Sequence, residues 1–407
     1  MAGRIRLAVL AASPMYYHAP LYRALAQHPA IDFTAIFCSS EGLRPHDPGY
    51  GRAVVWDVAA TGGYRNIFLR RAGENAIGGG FFSLRDSDVV GVIARGRYDV
   101  LWLHGYNFLT HQLAAATQRF VGRPLLVRED QTLLHARSPL KALTKRAALR
   151  LFLSQARGMY VGIENRRWFE RYGVPHHRLH FTPYCVDNDR LALSAATLAS
   201  DRTSLRQSFG VAGDDSPVIL TVMRLIPKKQ PLALLDAFKR VRSKTRCTLL
   251  LVGSGPLEEE VRLRASQIPD VVVAGFLNQS EVVRAYACAD VFVLFSLRHE
   301  TWGFVVMEAM NFQLPIVASD KVGCAADLVH EDVNGFVVDH RDPEALAHRL
   351  NRLVSSPELR ERMGAASAEI ITRWNVEAAC TGIVDAVRAS VGERRWREAI
   401  AAEARGP

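Results

Sequence analysis

The sequence has no CxxC pair. Its six cysteines (Cys38, Cys185, Cys247, Cys288, Cys324 and Cys380) are scattered, which argues against a structural zinc site or a disulfide framework and fits a reducing cytoplasm. No apolar run approaches the roughly 18 residues that a membrane-spanning helix needs. Arg4 and Arg6 precede only a short apolar run, Leu7 to Ala12, before Ser13-Pro14; this is too short for a signal-peptide core and reads as a first buried strand. There is no internal repeat, no low-complexity segment, and no zinc-finger, RNP-like or helix-turn-helix signature. Disordered tails and common nucleic-acid modules therefore drop out, and no nucleic-acid partner is expected.

What is there is a chain of 407 residues, 49% hydrophobic and 23% charged, with a net charge of +10. At roughly 100–200 residues per domain this length suggests two domains, each able to bury its own core. The charge is unevenly spread. Residues 1–190 carry 25 Lys and Arg against 14 Asp and Glu, whereas residues 191–407 carry 26 against 27. A basic half beside a neutral one points to an anionic partner such as a membrane, a nucleic acid or a phosphorylated substrate.

Short Val, Ile and Leu runs alternate with segments of helical period, the pattern of parallel sheets with crossover helices, so the class is α/β. In the first half the expected strands are 5–12, 33–38, 100–104, 125–128, 159–163 and 179–182. In the second they are 218–223, 248–252, 271–274, 291–295, 316–319 and 335–338. The polar stretch Asp187–Phe209 separates the two runs, which favours two Rossmann-like domains with parallel sheets facing a central cleft over one barrel. The expected boundaries are 1–190 for an acceptor domain, 191–375 for a donor domain, and 376–407 for a last helix crossing back to the first domain plus a charged tail.

The densest chemistry lies in Arg298-His-Glu-Thr-Trp-Gly-Phe-Val-Val-Met-Glu308. Glu300 falls in the loop after a strand and Glu308 in the second turn of the helix that begins near Gly303. Helical side chains lean toward the N-terminus, so both carboxylates could meet one ligand. The Gly303 and Phe304 amides would lie beside them as anion or hydroxyl binders. Taken alone, the pair is equally compatible with a solvated helix face. A second element, Arg224 to Lys229, places two cations where a strand ends and a helix begins, a site for a diphosphate unless it is simply a basic surface turn. The third is Leu251-Val-Gly253-Ser-Gly255-Pro-Leu-Glu258. It lacks the third glycine of a dinucleotide fingerprint, so NAD binding is not expected, although Gly253 and Gly255 permit close backbone approach to a ligand.

The ordered set Arg224…Lys229, Gly253-Ser-Gly255-Pro-Leu-Glu, Gly275-Phe-Leu, Glu300-x7-Glu308, Pro315-Ile-Val-Ala-Ser and Asn334-Gly-Phe resembles the retaining glycosyltransferases of family 4, with the GT-B fold. The resemblance covers the second half. The first half resembles the family more loosely, through Tyr17-His-Ala-Pro-Leu-Tyr, Leu103-His-Gly-Tyr and Gly162-Ile-Glu-Asn-Arg. It implies that Arg224 and Lys229 bind the donor diphosphate, that Glu308 holds the ribose, that Phe276 borders the base, and that Glu300 sits at the donor sugar. His104 resembles the family histidine that contacts the donor sugar or orients the acceptor hydroxyl. His18 and Asp130 are further acceptor-side candidates. Met223, Gln230 and Gln313 stand where the family usually has glycine, positions that can demand a positive φ.

The implied activity is transfer of a sugar from a nucleotide-diphosphate sugar to an acceptor hydroxyl with retention, in bacterial surface polysaccharide or glycolipid synthesis. No cofactor or metal is expected beyond the donor itself. Asp86-Ser-Asp88 reads as a helix N-cap, and His176-His177-x-x-His180 as a polar turn. Arg137, Lys141, Lys145 and Arg150 lie on a basic stretch that could seat a helix on anionic headgroups, giving a cytoplasmic protein on the inner face of the membrane, or could be an ordinary solvated face. The rival functions are a nucleotide-sugar epimerase of the same architecture and a catalytically silent binding subunit.

Overall fold

The computed structural model describes residues 3–44, 53–75, 77–78, 80–134, 139–211, 216–298 and 300–404. The chain divides into two compact units. The first comprises Met1–Arg44, Ala59–Cys185 and Val376–Pro407; the second comprises Pro45–Val58 and Val186–Asn375. Residues 45–58 fall inside the span expected for the first domain but group with the second unit.

The first unit carries seven strands: β1 (Ile5–Ala11), β2 (Ile31–Phe37), β3 (Arg65–Phe68), β4 (Val100–His104), β5 (Leu125–Arg128), β6 (Ala156–Tyr160) and β7 (Leu179–Phe181). Their order is β3-β2-β1-β4-β5-β6-β7, all parallel. Along β1 the residues alternate between two cores. Ile5, Leu7 and Val9 pack on one face with Ile383, Val387 and Trp396 from the C-terminal helices, while Ala8 and Leu10 pack on the other with Ile93 and Leu103. Both faces being covered explains the continuous apolar runs.

The second unit carries β8 (Val218–Val222), β9 (Thr248–Val252), β10 (Val271–Gly275), β11 (Val291–Leu294), β12 (Ile316–Ser319) and β13 (Gly335–Val338), in the parallel order β10-β9-β8-β11-β12-β13. The order reverses between β8 and β11, and ligands of open α/β sheets bind at such a switch point, beyond the carboxyl ends of the strands.

Three expectations need correction. β3 was not foreseen, because it is a four-residue edge strand with no buried residue. β6 begins at Ala156 rather than Met159, and Ile163 already starts the helix Ile163–Arg171. The Asn165 side chain takes the Val161 amide (3.1 Å), which ends the strand there. The polar stretch 187–209 forms the helices Asn188–Leu198 and Arg202–Ser208, fastened by Arg202 and Arg206 to the two oxygens of Asp290 (2.5 and 2.6 Å). The charged tail is the helix Glu393–Ala404, with Trp396 and Ala399 buried. Among the described residues no helix is long and apolar enough to cross a membrane.

Candidate functional site

In the second unit, β8 runs out into Met223-Arg224-Leu225. The chain there is held by hydrogen bonds from the Met223 amide to Val252 O (3.0 Å) and from the Leu225 amide to Ser254 O (2.8 Å). Gly253 lies at φ +140°, and a Cβ there would meet Met223 O at 1.8 Å; Gly255 faces Leu225 O in the same way at 2.7 Å. The two glycines thus let the protein's own backbone close on either side of Arg224.

A 3₁₀ turn, Pro227–Lys229, then leads through Gln230 into the helix Pro231–Arg242. Gln230 adopts φ +51° and Gln313 φ +55°, the left-handed backbone that a glycine would take without strain, whereas Met223 has no positive φ. Gln230 offsets its strain with its side-chain amide, which donates to His340 O (2.9 Å) and Phe295 O (3.3 Å). This ties the lysine turn to the ends of β11 and β13.

Lys229 Nζ meets Glu300 Oε2 in a direct ion pair, with side-chain exposures of 12% and 14%. Glu300 also accepts from Ser296 Oγ (3.1 Å). Its backbone carbonyl takes the Gly323 amide (2.9 Å), so the carboxylate projects from a fixed loop. Burial, with Lys228 and Arg224 nearby, lowers the Lys229 ammonium from 10.5 to about 7, an effect that the Glu300 carboxylate opposes. Gly303, at φ +104°, heads the helix Phe304–Asn311, whose first amides lie next in the chain after Glu300. Glu308 is buried on that helix and accepts from Tyr286 Oη (2.8 Å). Burial raises its pKa, against the Tyr286 hydrogen bond and the charge of Arg190. The two carboxylates have different partners, a lysine and a tyrosine. Phe276 follows the end of β10 and is half-buried.

In the first unit, His104 ends β4 and pairs in register with Arg128 at the end of β5. His18 closes the turn ahead of the helix Ala19–Gln27, and its ring lies 4.5 Å from that of His104. Burial pushes His104 down to about 3, helped by Arg128 and His111. His18 lies well below the ordinary histidine value, by burial first and then by His104 and Arg128. Both imidazoles are neutral at pH 7, and His104 Nδ1 has no hydrogen-bond partner among the described residues. Such a group orients a hydroxyl well and takes a proton poorly.

Two neighbours, Arg128 and Glu129, were not among the sequence candidates. Arg128 is fully buried and donates to Thr182 O (2.9 Å) and Pro183 O (2.8 Å), its guanidinium lying 4.7 Å from the Tyr184 ring. Its Nε and Nη1 have no partner among the described residues, and neither has Glu129 Oε2. Burial, then Asp130, raises Glu129 well above the carboxylate range. Asp130 itself is half-buried, its amide 3.3 Å from Glu129 Oε1. The only local signal was a charged triplet that begins on the last residue of a buried strand.

Other expectations resolve differently. Asp88 occupies the N-cap of the helix Val89–Gly96 but caps no amide of it; Asp86 and Asp88 instead hold the Arg71 and Arg70 amides (2.7 and 3.2 Å). Of the basic stretch, Arg137 lies outside the described residues, Lys141 lies on the helix Pro139–Leu153, and Arg150 is exposed. Lys145 is half-buried, its ammonium 5.6 Å from the Tyr106 ring centre. Among the described residues, one group brings metal-type donor atoms together: Asp320, Asp339 and His340. There His340 Nδ1 lies 2.8 Å from Asp320 Oδ1, and Lys321 and Arg341 already pair with the two carboxylates (2.8 and 2.9 Å).

Residues 201–369 match the family described as Glycosyl transferases group 1. The chain is similar to the alpha-D-kanosaminyltransferase of Streptomyces kanamyceticus, 29% identical over 58% of this chain and 59% of the relative. It is also similar to the D-inositol 3-phosphate glycosyltransferase of Xylanimonas cellulosilytica, 31% identical over 55% and 54%. It therefore spans a little over half the length of these curated relatives. Among solved structures, a glycosyltransferase from Rickettsia africae superposes with a TM-score of 0.74 at 12% identity, covering 96% of this chain and 99% of that one. Anabaena HepE in complex with UDP and glucose superposes at 0.68 and 18%, covering 95% and 100%. Residues 201–369 thus match the glycosyl transferases group 1 family, and the chain has the fold of these GT-B glycosyltransferase structures.

Proposed function

We propose that the chain is a retaining glycosyltransferase that moves a sugar from a nucleoside-diphosphate sugar to an acceptor hydroxyl without a metal. The observation that carries this reading is the buried Lys229–Glu300 ion pair beside Arg224, just past the β8/β11 switch point. A diphosphate entering there offers Lys229 a second anion and frees Glu300 to face the sugar. As the bond from the anomeric carbon to the diphosphate breaks, the electron pair leaves with the phosphate oxygen. Arg224, Lys229 and the amides of Gly303 and Phe304 stabilise that charge, and the Glu300 carboxylate stabilises the positive charge on the sugar. The acceptor oxygen then bonds to the same face, and its proton passes to the departing phosphate oxygen. His104, too weak a base to take that proton, orients the hydroxyl instead, with His18 packed against it. Glu308 holds the ribose and Phe276 borders the base.

Assembly of a bacterial surface polysaccharide or glycolipid is the setting. Support comes from relatives named for lipid acceptors, such as a GDP-mannose-dependent phosphatidylinositol monomannoside mannosyltransferase of Corynebacterium glutamicum, 28% identical over 54% of this chain. A cytoplasmic protein seated on the inner membrane face through Lys141 and Arg150 belongs to the same reading. The test is proton NMR of the product formed from a labelled nucleotide sugar and an acceptor. An anomeric coupling matching that of the donor supports the reading. Inversion refutes retention, and conversion of the donor without an acceptor would instead identify an epimerase.

A further inference from the structure

The stretch Pro45–Val58, between β2 and β3 in the chain, belongs to the second unit, and its described part is fastened there over three residues. Asn278 Nδ2 donates to Val55 O (2.7 Å), and Asn278 Oδ1 accepts from the Asp57 amide (3.4 Å). The Asp57 carboxylate accepts from both the Ser280 amide (3.0 Å) and the Ser280 hydroxyl. These side-chain contacts read the strap's backbone on both sides of residue 56. Between the two anchors stands Trp56, half-buried, with its ring centre 6.0 Å from that of Phe276 and the planes at 59°.

Two rings meeting at that angle form a corner, not a sandwich: one offers a face for stacking and the other closes its edge. The corner lies just past β10, two strands from β8. At strand spacings of roughly 4.8 Å it stands about 10 Å from the Arg224 end of the sheet, comparable to the reach from a diphosphate to its base. Every nucleobase has a π-face, and aromatic side chains bind it in this way.

We propose that Trp56 is an aromatic wall of the nucleobase subsite, so that nucleotide affinity in the second unit depends on a segment from the first half of the chain. This rests on the donor-site reading above. Trp56 lies outside residues 201–369, the span that matches the family.

The test is calorimetric titration of the full chain with UDP, GDP and ADP and, separately, with inorganic pyrophosphate, which has the phosphates but no base. For the nucleotide that binds the wild type, Trp56→Ala weakens affinity roughly 5- to 150-fold, the range for losing one base–aromatic stack, and leaves pyrophosphate within twofold. Trp56→Phe restores most of the loss, and Asp57→Ala, which loosens the strap, reproduces part of it. Equal weakening of nucleotide and pyrophosphate, or none of either, overturns the inference. If Lys229→Ala leaves both ligands unaffected, or no nucleotide binds the wild type, the donor-site reading itself fails, whatever Trp56 does.

Discussion

Lys229 makes a prediction with two opposite arms. In the folded chain its ammonium is pushed to about 7 from 10.5, while the unfolded chain keeps the proton up to the ordinary lysine value. Below pH 7 both states are protonated and the residue adds no slope. Between 7 and 10.5 the unfolded state holds more protons, so stability rises with pH, by at most about 5 kcal/mol at 1.36 kcal/mol per unit. Diphosphate affinity moves the other way, because only the charged lysine attracts the anion. The charged fraction therefore falls as the pH rises above about 7, and binding weakens from pH 7 to pH 9 by at most roughly 50-fold, the Glu300 carboxylate making the fall smaller. The assay is calorimetric titration with the bound nucleoside diphosphate at pH 7, 8 and 9, beside urea unfolding at the same values. Lys229→Met abolishes both trends, and Glu300→Gln, which removes the opposing carboxylate, moves the fall in affinity to lower pH. Constant wild-type affinity from pH 7 to 9, or the same fall in Lys229→Met, would refute the reasoning.

Further predictions concern residues whose roles differ from what their chemistry first suggests. Gln230→Gly relieves a left-handed backbone and loses two side-chain hydrogen bonds, each worth about 1 kcal/mol; Tm should change by only a few degrees while the donor KM rises several-fold. Arg128→Met takes the donor from the buried Thr182 and Pro183 carbonyls, so urea unfolding should show stability lowered by about 1–3 kcal/mol for each carbonyl left without a partner. Reversing charge at Lys141 and Arg150 should reduce co-sedimentation with anionic vesicles, an effect suppressed by salt. Lys145→Glu, by contrast, should lower Tm, because its ammonium is packed against Tyr106.

Much of the fold was legible because the strands are short Val, Ile and Leu runs with abrupt polar ends; β4, β5, β9, β12 and β13 lie where the sequence placed them. β3 was not, because an edge strand of Arg65-Asn66-Ile67-Phe68 buries no residue and leaves no periodicity to read. Glycine substitutions proved informative: the glutamines at 230 and 313 do adopt the positive φ that the replaced glycines implied. Gly253 and Gly255 showed that something approaches closely but not what, and it is the Met223–Leu225 backbone that does so. Arg128 was not singled out, because nothing in Arg128-Glu-Asp tells that its side chain turns under Tyr184. The strap was illegible for another reason: Asp57 and Ser280 meet across a separation of 223 residues, which no local pattern records.

The central claim, a metal-independent nucleotide-sugar site built on Arg224, Lys229 and Glu300, is tested most directly by a calorimetric and thermal-shift screen. UDP, GDP, ADP and their sugar forms are titrated first without metal and then with magnesium, in the wild type and in Lys229→Ala. The account predicts selective micromolar binding of one nucleotide series without metal, unchanged by magnesium and lost in Lys229→Ala. Binding of none, binding only with magnesium, or equal binding by Lys229→Ala would contradict it.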